Sequence, residues 1–192
     1  MKRENIYEGV LSFKGTWRNY QNRVLEEADK YLEDGKIHIV AAPGAGKTTL
    51  GIELIRRAGQ PCLIFSPRIV IREQWLERIR QFFLTEEKNN GLLSNNLKSP
   101  ALITSVTYQT LYSSVKGYQG TEEEQEGEEP ETVDFSDFQL LETVREAGIR
   151  TICLDECHHL KNEWWKALES FMQEMKDVTV ISLTATPPYD ST

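Results

Sequence analysis

The sequence has too few cysteines for a disulfide framework. Only three occur in 192 residues, Cys62, Cys153 and Cys157. An odd count inside strand-like segments points to buried thiols in a reducing compartment. No apolar run approaches the length of a membrane-spanning helix, so no membrane partner is expected. Met1-Lys2-Arg3-Glu4-Asn5 leads into polar sequence without an apolar signal core, and a cytoplasmic address is the expectation. There is no internal repeat. There is also no excess of positive charge, since the formal net charge is −8. That would argue against a nucleic-acid partner, but the acidity is local. The segment 121–131 (TEEEQEGEEPE) holds seven glutamates and no basic residue; without it, 23 acidic residues face 22 basic ones, a net of −1. A nearly neutral body neither demands nor forbids nucleic acid, because a backbone can be gripped by a few loops and N–H groups.

What is present is one sizeable domain with enough apolar sequence for a core. Residues 1–16 are mixed and read as an amino-terminal appendage to a domain spanning 17–192. From Trp17 to Leu32 the apolar residues Tyr20, Val24, Leu25, Ala28, Tyr31 and Leu32 recur at three- and four-residue steps, an amphipathic helix ended by Asp34-Gly35. Alternation follows. Strands are predicted at 37–41, 62–65, 101–104, 151–154 and 178–183, and helices at 48–58, 71–83, 138–147 and 163–175. Apolar strands alternating with helices give an α/β fold, a mainly parallel sheet with helices on both faces. Ligands in such sheets sit beyond the carboxyl ends of the strands. Residues 85–100 are polar and read as a surface loop. Residues 116–136 are acidic and low in complexity. They cannot bury enough apolar area to offset their ordering entropy, so a flexible insertion is expected.

The first strand runs into Ala41-Ala42-Pro43-Gly44-Ala45-Gly46-Lys47-Thr48-Thr49. Glycines let the backbone curl so that successive N–H groups face a phosphate. The helix that starts here aims its positive end at the same anion. This is the phosphate-loop pattern with Ala41 in place of its first glycine. It assigns Lys47 to the β- and γ-phosphates of ATP and the Thr48 hydroxyl to Mg²⁺. Pro43, Gly44, Ala45, Gly46, Lys47, Thr48 and Thr49 are thus the expected nucleotide-holding stretch.

The fourth strand ends in Leu154-Asp155-Glu156-Cys157-His158-His159. A carboxylate at a neighbouring strand tip supplies the second Mg²⁺ contact, which assigns Asp155 to the metal. Glu156 is placed to orient or deprotonate the attacking water. The plainer alternative, two carboxylates capping the next helix, loses force beside a phosphate loop. Cys153, Cys157, His158 and His159 look superficially like zinc ligands. Cys153 lies on a strand, however, and no second ligand pair stands at a suitable distance. His158 and His159 read instead as polar links between the ATP site and its neighbours.

At this point the chain resembles the superfamily 2 helicases of the DExH type. Motif I resembles residues 41–48, motif II Asp155-Glu156-Cys157-His158, and motif III Ser182-Leu183-Thr184-Ala185-Thr186-Pro187-Pro188. The resemblance implies a RecA-like domain, the first of two in a motor. It implies coupling of the ATP site to strand movement through His158, Thr184 and Thr186. Trp17-Arg18-Asn19-Tyr20-Gln21 is similar to the element that reads adenine, which gives Gln21 that role; its amide can both donate and accept. The family often has proline where Asn19 stands. Ser66-Pro67-Arg68, followed by Gln74-Trp75, is similar to motif Ia, and residues 104–111, with Thr107, to motif Ib. The resemblance implies that Pro67, Arg68 and Thr107 touch a nucleic-acid backbone, DNA ahead of RNA. Tyr20 and Trp75 are read first as helix-core packing.

The family places a second RecA-like domain, with an arginine finger, after motif III. None follows in this sequence, which stops at Thr192. The expectation is a piece of a longer protein, able to bind Mg-ATP and very slow to hydrolyse it alone. A P-loop ATPase or nucleotide switch acting on a protein partner shares the same ATP site. A small-molecule kinase would lack motif III.

Overall fold

The computed structural model describes residues 3–41, 46–85, 91–117, 119–121 and 132–185. Its elements in chain order begin with α1 (Asn19–Leu32), β1 (Lys36–Val40), α2 (Lys47–Ala58), β2 (Cys62–Ser66) and α3 (Ile69–Phe82). There follow β3 (Leu93–Ser94), β4 (Ile103–Thr107), α4 (Tyr108–Lys116), β5 (Gln119–Thr121) and β6 (Thr132–Asp134). The last are α5 (Leu140–Glu146), β7 (Thr151–Asp155), a 3₁₀ turn at Cys157–His159, α6 (Asn162–Glu174) and β8 (Thr179–Thr184).

Six strands form one parallel sheet in the order β1-β8-β7-β2-β4-β3. Side chains on the central strands alternate between two cores, as the two-residue period of a strand requires. Cys62 and Ile64 of β2 face one core and Leu63 and Phe65 the other; Cys153 of β7 faces the first, Ile152 and Leu154 the second. The first core is closed by α1, α2 and α3, through Leu25, Leu50, Leu54, Trp75 and Ile79. The second is closed by α4, α5 and α6, through Leu111, Val144, Leu168 and Phe171. Each such fully buried side chain contributes about 1.5–3 kcal/mol relative to exposure. The edge strand β1 is covered on one face only, with Ile37 and Ile39 buried and Val40 exposed.

The topology brings three strand tips together. After β1 the chain crosses over to β2, and β8 returns last to fill the gap between β1 and β7. The carboxyl ends of β1, β8 and β7 therefore stand side by side, at the point where strand order reverses. Backbone hydrogen bonds lock them: Ala41 N donates to Thr184 O (2.9 Å) and Glu156 N to Leu183 O (2.9 Å).

Several elements differ from the expectations. Helix α4 lies where only a loop motif was read. The polar stretch 85–100 contains the two-residue edge strand β3. The acidic stretch is entered and left by the antiparallel pair β5–β6, and the glutamates between them lie outside the described residues. The amino-terminal segment packs into the first core. Tyr7 is fully buried, its hydroxyl 2.7 Å from Gln60 O and 3.2 Å from Leu102 O in a shared bond. Leu11 bridges to Leu84.

Candidate active site

Gly46 caps α2 in the left-handed region, φ 76°. A side chain there would be strained, and its first carbon would collide with the Gln21 amide. Gln21 is buried, its Oε1 accepting from Arg18 N at 3.0 Å. The start of α1 is thus laid over the start of α2. Between them opens a cleft of about 550 Å³, lined by Gln21, Gly46, Lys47, Thr48, Thr49 and Ala185. Phe13, Arg78 and Phe82 also line it. The sequence did not point to those three as site residues, because Phe13 meets Arg78 and Phe82 only where the segment before α1 runs along the end of α3, with Ser12 N donating to Phe83 O and Lys14 N to Phe82 O at 2.8 Å.

Lys47 is the centre of the charge arrangement. Its Nζ donates to Asp155 Oδ1 at 2.7 Å and to Glu156 Oε1 at 2.6 Å. Burial alone would lower the Lys47 pKa. The two carboxylates outweigh it and hold the ammonium above the usual lysine value. One lysine against two carboxylates leaves a net negative charge and hard oxygen donors, the chemistry that suits a magnesium ion. Among the described residues no three His, Cys, Asp or Glu side chains gather into a metal-holding group. Cys153 is fully buried in the sheet, its thiol pushed well up by burial.

The two adjacent carboxylates are held differently. Asp155 ends β7 and is 2% exposed. Its Oδ2 accepts from the indole N–H of Trp75 at 2.9 Å, and its backbone carbonyl from the Tyr108 hydroxyl at 2.9 Å. Glu156 sits in the left-handed region, φ 53°, which costs a non-glycine residue of order 1 kcal/mol or more. Its Oε1 also accepts from Ala185 N at 2.7 Å, and its Oε2 lies 3.4 Å from His158 Nε2.

Of the other expected residues, Thr184 ends β8 with its hydroxyl 3.3 Å from His38 Nε2, a partner the sequence did not suggest. Thr49 is buried and accepts from Arg78 at 3.4 Å. Ser66 and Thr107 are register partners at the adjacent tips of β2 and β4, so Pro67, Arg68 and Thr107 stand together beside the site. Arg68 is exposed. Thr107 is buried, and its hydroxyl caps α4 by accepting from Thr110 N at 3.1 Å. Pro43, Gly44, Ala45 and Thr186 lie outside the described residues, as does the His159 side chain.

Comparison with known proteins decides the family. The family model described as "Type III restriction enzyme, res subunit" matches residues 14–189. The chain belongs to this family. Among curated relatives it is similar to the DNA 3'-5' translocase XPB2 of Sulfurisphaera tokodaii, 27% identical over 191 residues. That alignment covers 97% of this chain and 35% of the relative. It is also similar to the DNA 3'-5' helicase XPB of Mycobacterium tuberculosis, 31% identical over 100 residues, covering 52% of this chain and 18% of the relative. The chain thus spans about a third or less of the length of these relatives. Its fold matches the Hef helicase domain of Pyrococcus furiosus with a TM-score of 0.59 at 17% identity, over 91% of this chain and 34% of that one. It matches the UvsW helicase from bacteriophage T4 with a TM-score of 0.54 at 13% identity, over 92% of this chain and 55% of that one. The family member described here is a RecA-like domain of the superfamily 2 helicase type. Among the described residues no helix is long and apolar enough to cross a membrane.

Proposed function

We propose that this domain is the ATP-binding, amino-terminal half of a motor that couples ATP hydrolysis to movement on DNA, acting in the cytoplasm and completed by a second RecA-like domain. The observation that carries the reading is the bridging of Asp155 and Glu156, at the tip of β7, by Lys47 at the start of α2. In that arrangement the lysine occupies both carboxylates until an anion competes for it. Triphosphate oxygens would draw Lys47 away. Asp155 Oδ1, together with the Thr48 hydroxyl, would then serve a magnesium ion, which neutralises phosphate charge when bound. Glu156, released at Oε1 and still held by Ala185 N, would orient the attacking water and take its proton. Gln21, poised over Gly46, would read the adenine edge. Ala41, Thr184 and Ala185 link the strand tips; this linkage supports His158 and Thr184 as residues that would pass the state of Glu156 onward, with Thr186 added on the motif resemblance alone. The DNA assignment rests on the names of the relatives, and on Pro67, Arg68 and Thr107 at neighbouring tips. A second domain would supply the arginine, typically worth about 10³ to 10⁵ in rate.

The test is ATP turnover by a protein carrying both halves, with and without DNA and RNA, beside binding of both nucleic acids over a range of salt. DNA-stimulated turnover and a salt-dependent DNA affinity are expected. Turnover indifferent to nucleic acid but stimulated by a protein would replace the reading with a protein-remodelling ATPase.

A further inference from the structure

We infer that Trp75 and Tyr108 are positioning residues, which hold Asp155 in the one orientation that offers Oδ1 to the cation. This deepens the ATP-site reading above and rests on it. Asp155 has two carboxylate oxygens. Lys47 takes Oδ1, at 2.7 Å, and is the partner a triphosphate would remove. Trp75 takes Oδ2, at 2.9 Å, and has no reason to leave, since its ring is fully buried in the first core. Tyr108 donates to the Asp155 carbonyl at 2.9 Å from the opposite face of the sheet, where it belongs to the second core. Side chain and backbone of the same residue are thus pinned from both sides. With the indole N–H on Oδ2, Asp155 cannot turn that oxygen to the metal without orphaning a buried donor.

A second observation supports a built arrangement. Glycine is a poor helix former, yet Gly51 occupies the middle of α2. A side-chain carbon there would lie 2.6 Å from Trp75 Cη2 and 2.7 Å from Leu183 Cδ1. Gly51 therefore provides the space in which the indole reaches Asp155. The two pinning residues also belong to α3 and α4, the helices whose amino-terminal cap positions are Arg68 and Thr107. The grip on Asp155 lies between those loops and the cation.

The experiment compares binding of a non-hydrolysable ATP analogue in excess Mg²⁺ and in excess EDTA, for the 192-residue chain, Trp75→Phe, Tyr108→Phe and the surface control Trp165→Phe. In the unaltered chain Mg²⁺ is expected to tighten binding. Trp75→Phe should reduce that Mg²⁺-dependent gain by about tenfold, equivalent to about 1.4 kcal/mol, and leave binding in EDTA unchanged. Tyr108→Phe should act in the same direction by a few-fold, and Trp165→Phe should do nothing. A purely structural role would weaken both conditions equally. Should Trp75→Phe fail to fold, the unaltered chain still gives a reading: the indole ¹H–¹⁵N signal best protected from hydrogen exchange belongs to Trp75. That signal should move on adding Mg²⁺ to the nucleotide complex. A folded Trp75→Phe protein with an intact Mg²⁺ gain, or an indole signal blind to Mg²⁺, overturns the inference alone. No Mg²⁺ gain in the unaltered chain overturns the ATP-site reading with it.

Discussion

The tips of β1, β8 and β7 and the tips of β2 and β4 lie along the same edge of the same sheet, yet they are built differently. At the first group, the expected site residues converge on each other. Lys47 bridges Asp155 and Glu156, and Ala185 N reaches Glu156. At the second, the expected Thr107 hydroxyl turns inward to cap its own helix. Arg68 alone of the three expected nucleic-acid residues presents an exposed charged side chain. The proposed nucleotide site is thus preassembled in side chains. The proposed nucleic-acid contacts would rest on Arg68 and on backbone N–H groups at helix starts, contacts that carry little sequence information.

The comparison is broken most severely by removing the proposed base. Glu156→Gln, in a protein carrying both halves, should keep nucleotide affinity and lower turnover by about 10²–10⁴-fold, the range typical of a lost general base. Steady-state kinetics beside a binding titration reads both. Normal turnover would remove Glu156 from that role.

Lys47→Ala comes next. Loss of two charge-assisted hydrogen bonds to phosphate should weaken Mg-ATP binding on the order of 100-fold. The same change leaves Asp155 buried without its cation, so the nucleotide-free protein should lose roughly 3 kcal/mol in denaturant unfolding. Retained affinity would show that the phosphates sit elsewhere.

At the β2–β4 tips the two residues should separate by kind of effect. Arg68→Ala should lower the slope of log affinity for DNA against log salt by about 1. Thr107→Ala should leave that slope alone and cost about 1 kcal/mol of stability through the lost cap. The reverse pattern would mean that Thr107 turns outward to a phosphate.

A smaller effect is expected in pH. The folded-state pKa of Lys47 is raised, so its contribution is fully present below the usual lysine value of 10.5. It is lost only as pH rises through the folded value. The stability difference between the unaltered chain and Lys47→Met should be flat at neutral pH and shrink above that point.

The sequence made the layered α/β fold legible because the longer strands were apolar runs and several helices had clear stops, such as Gly59-Gln60-Pro61. Lys47, Asp155 and Glu156 stood out in the sequence because their proposed chemistry demands fixed neighbours along the chain, and the structure brings the three side chains together. Helix α4 was hidden by its polar content, although Tyr108, Leu111, Tyr112 and Val115 stand at helical spacing. Two-residue β3 and the β5–β6 pair are too short for periodicity to register. Phe13, Arg78 and Phe82 reach the cleft only through packing of distant segments. Trp75 was read as core, and it is core; its N–H bond to Asp155 spans 80 positions and leaves no local signature. The role of Tyr7 in tying the amino-terminal segment to Gln60 and Leu102 is equally non-local.

The most direct test of the account is an ATP titration of the isolated domain with Mg²⁺, followed by a turnover assay on the same sample. The account predicts Mg²⁺-dependent binding with very slow hydrolysis, as half a motor without its partner's arginine. Absence of binding, or brisk hydrolysis by the isolated domain, would contradict it.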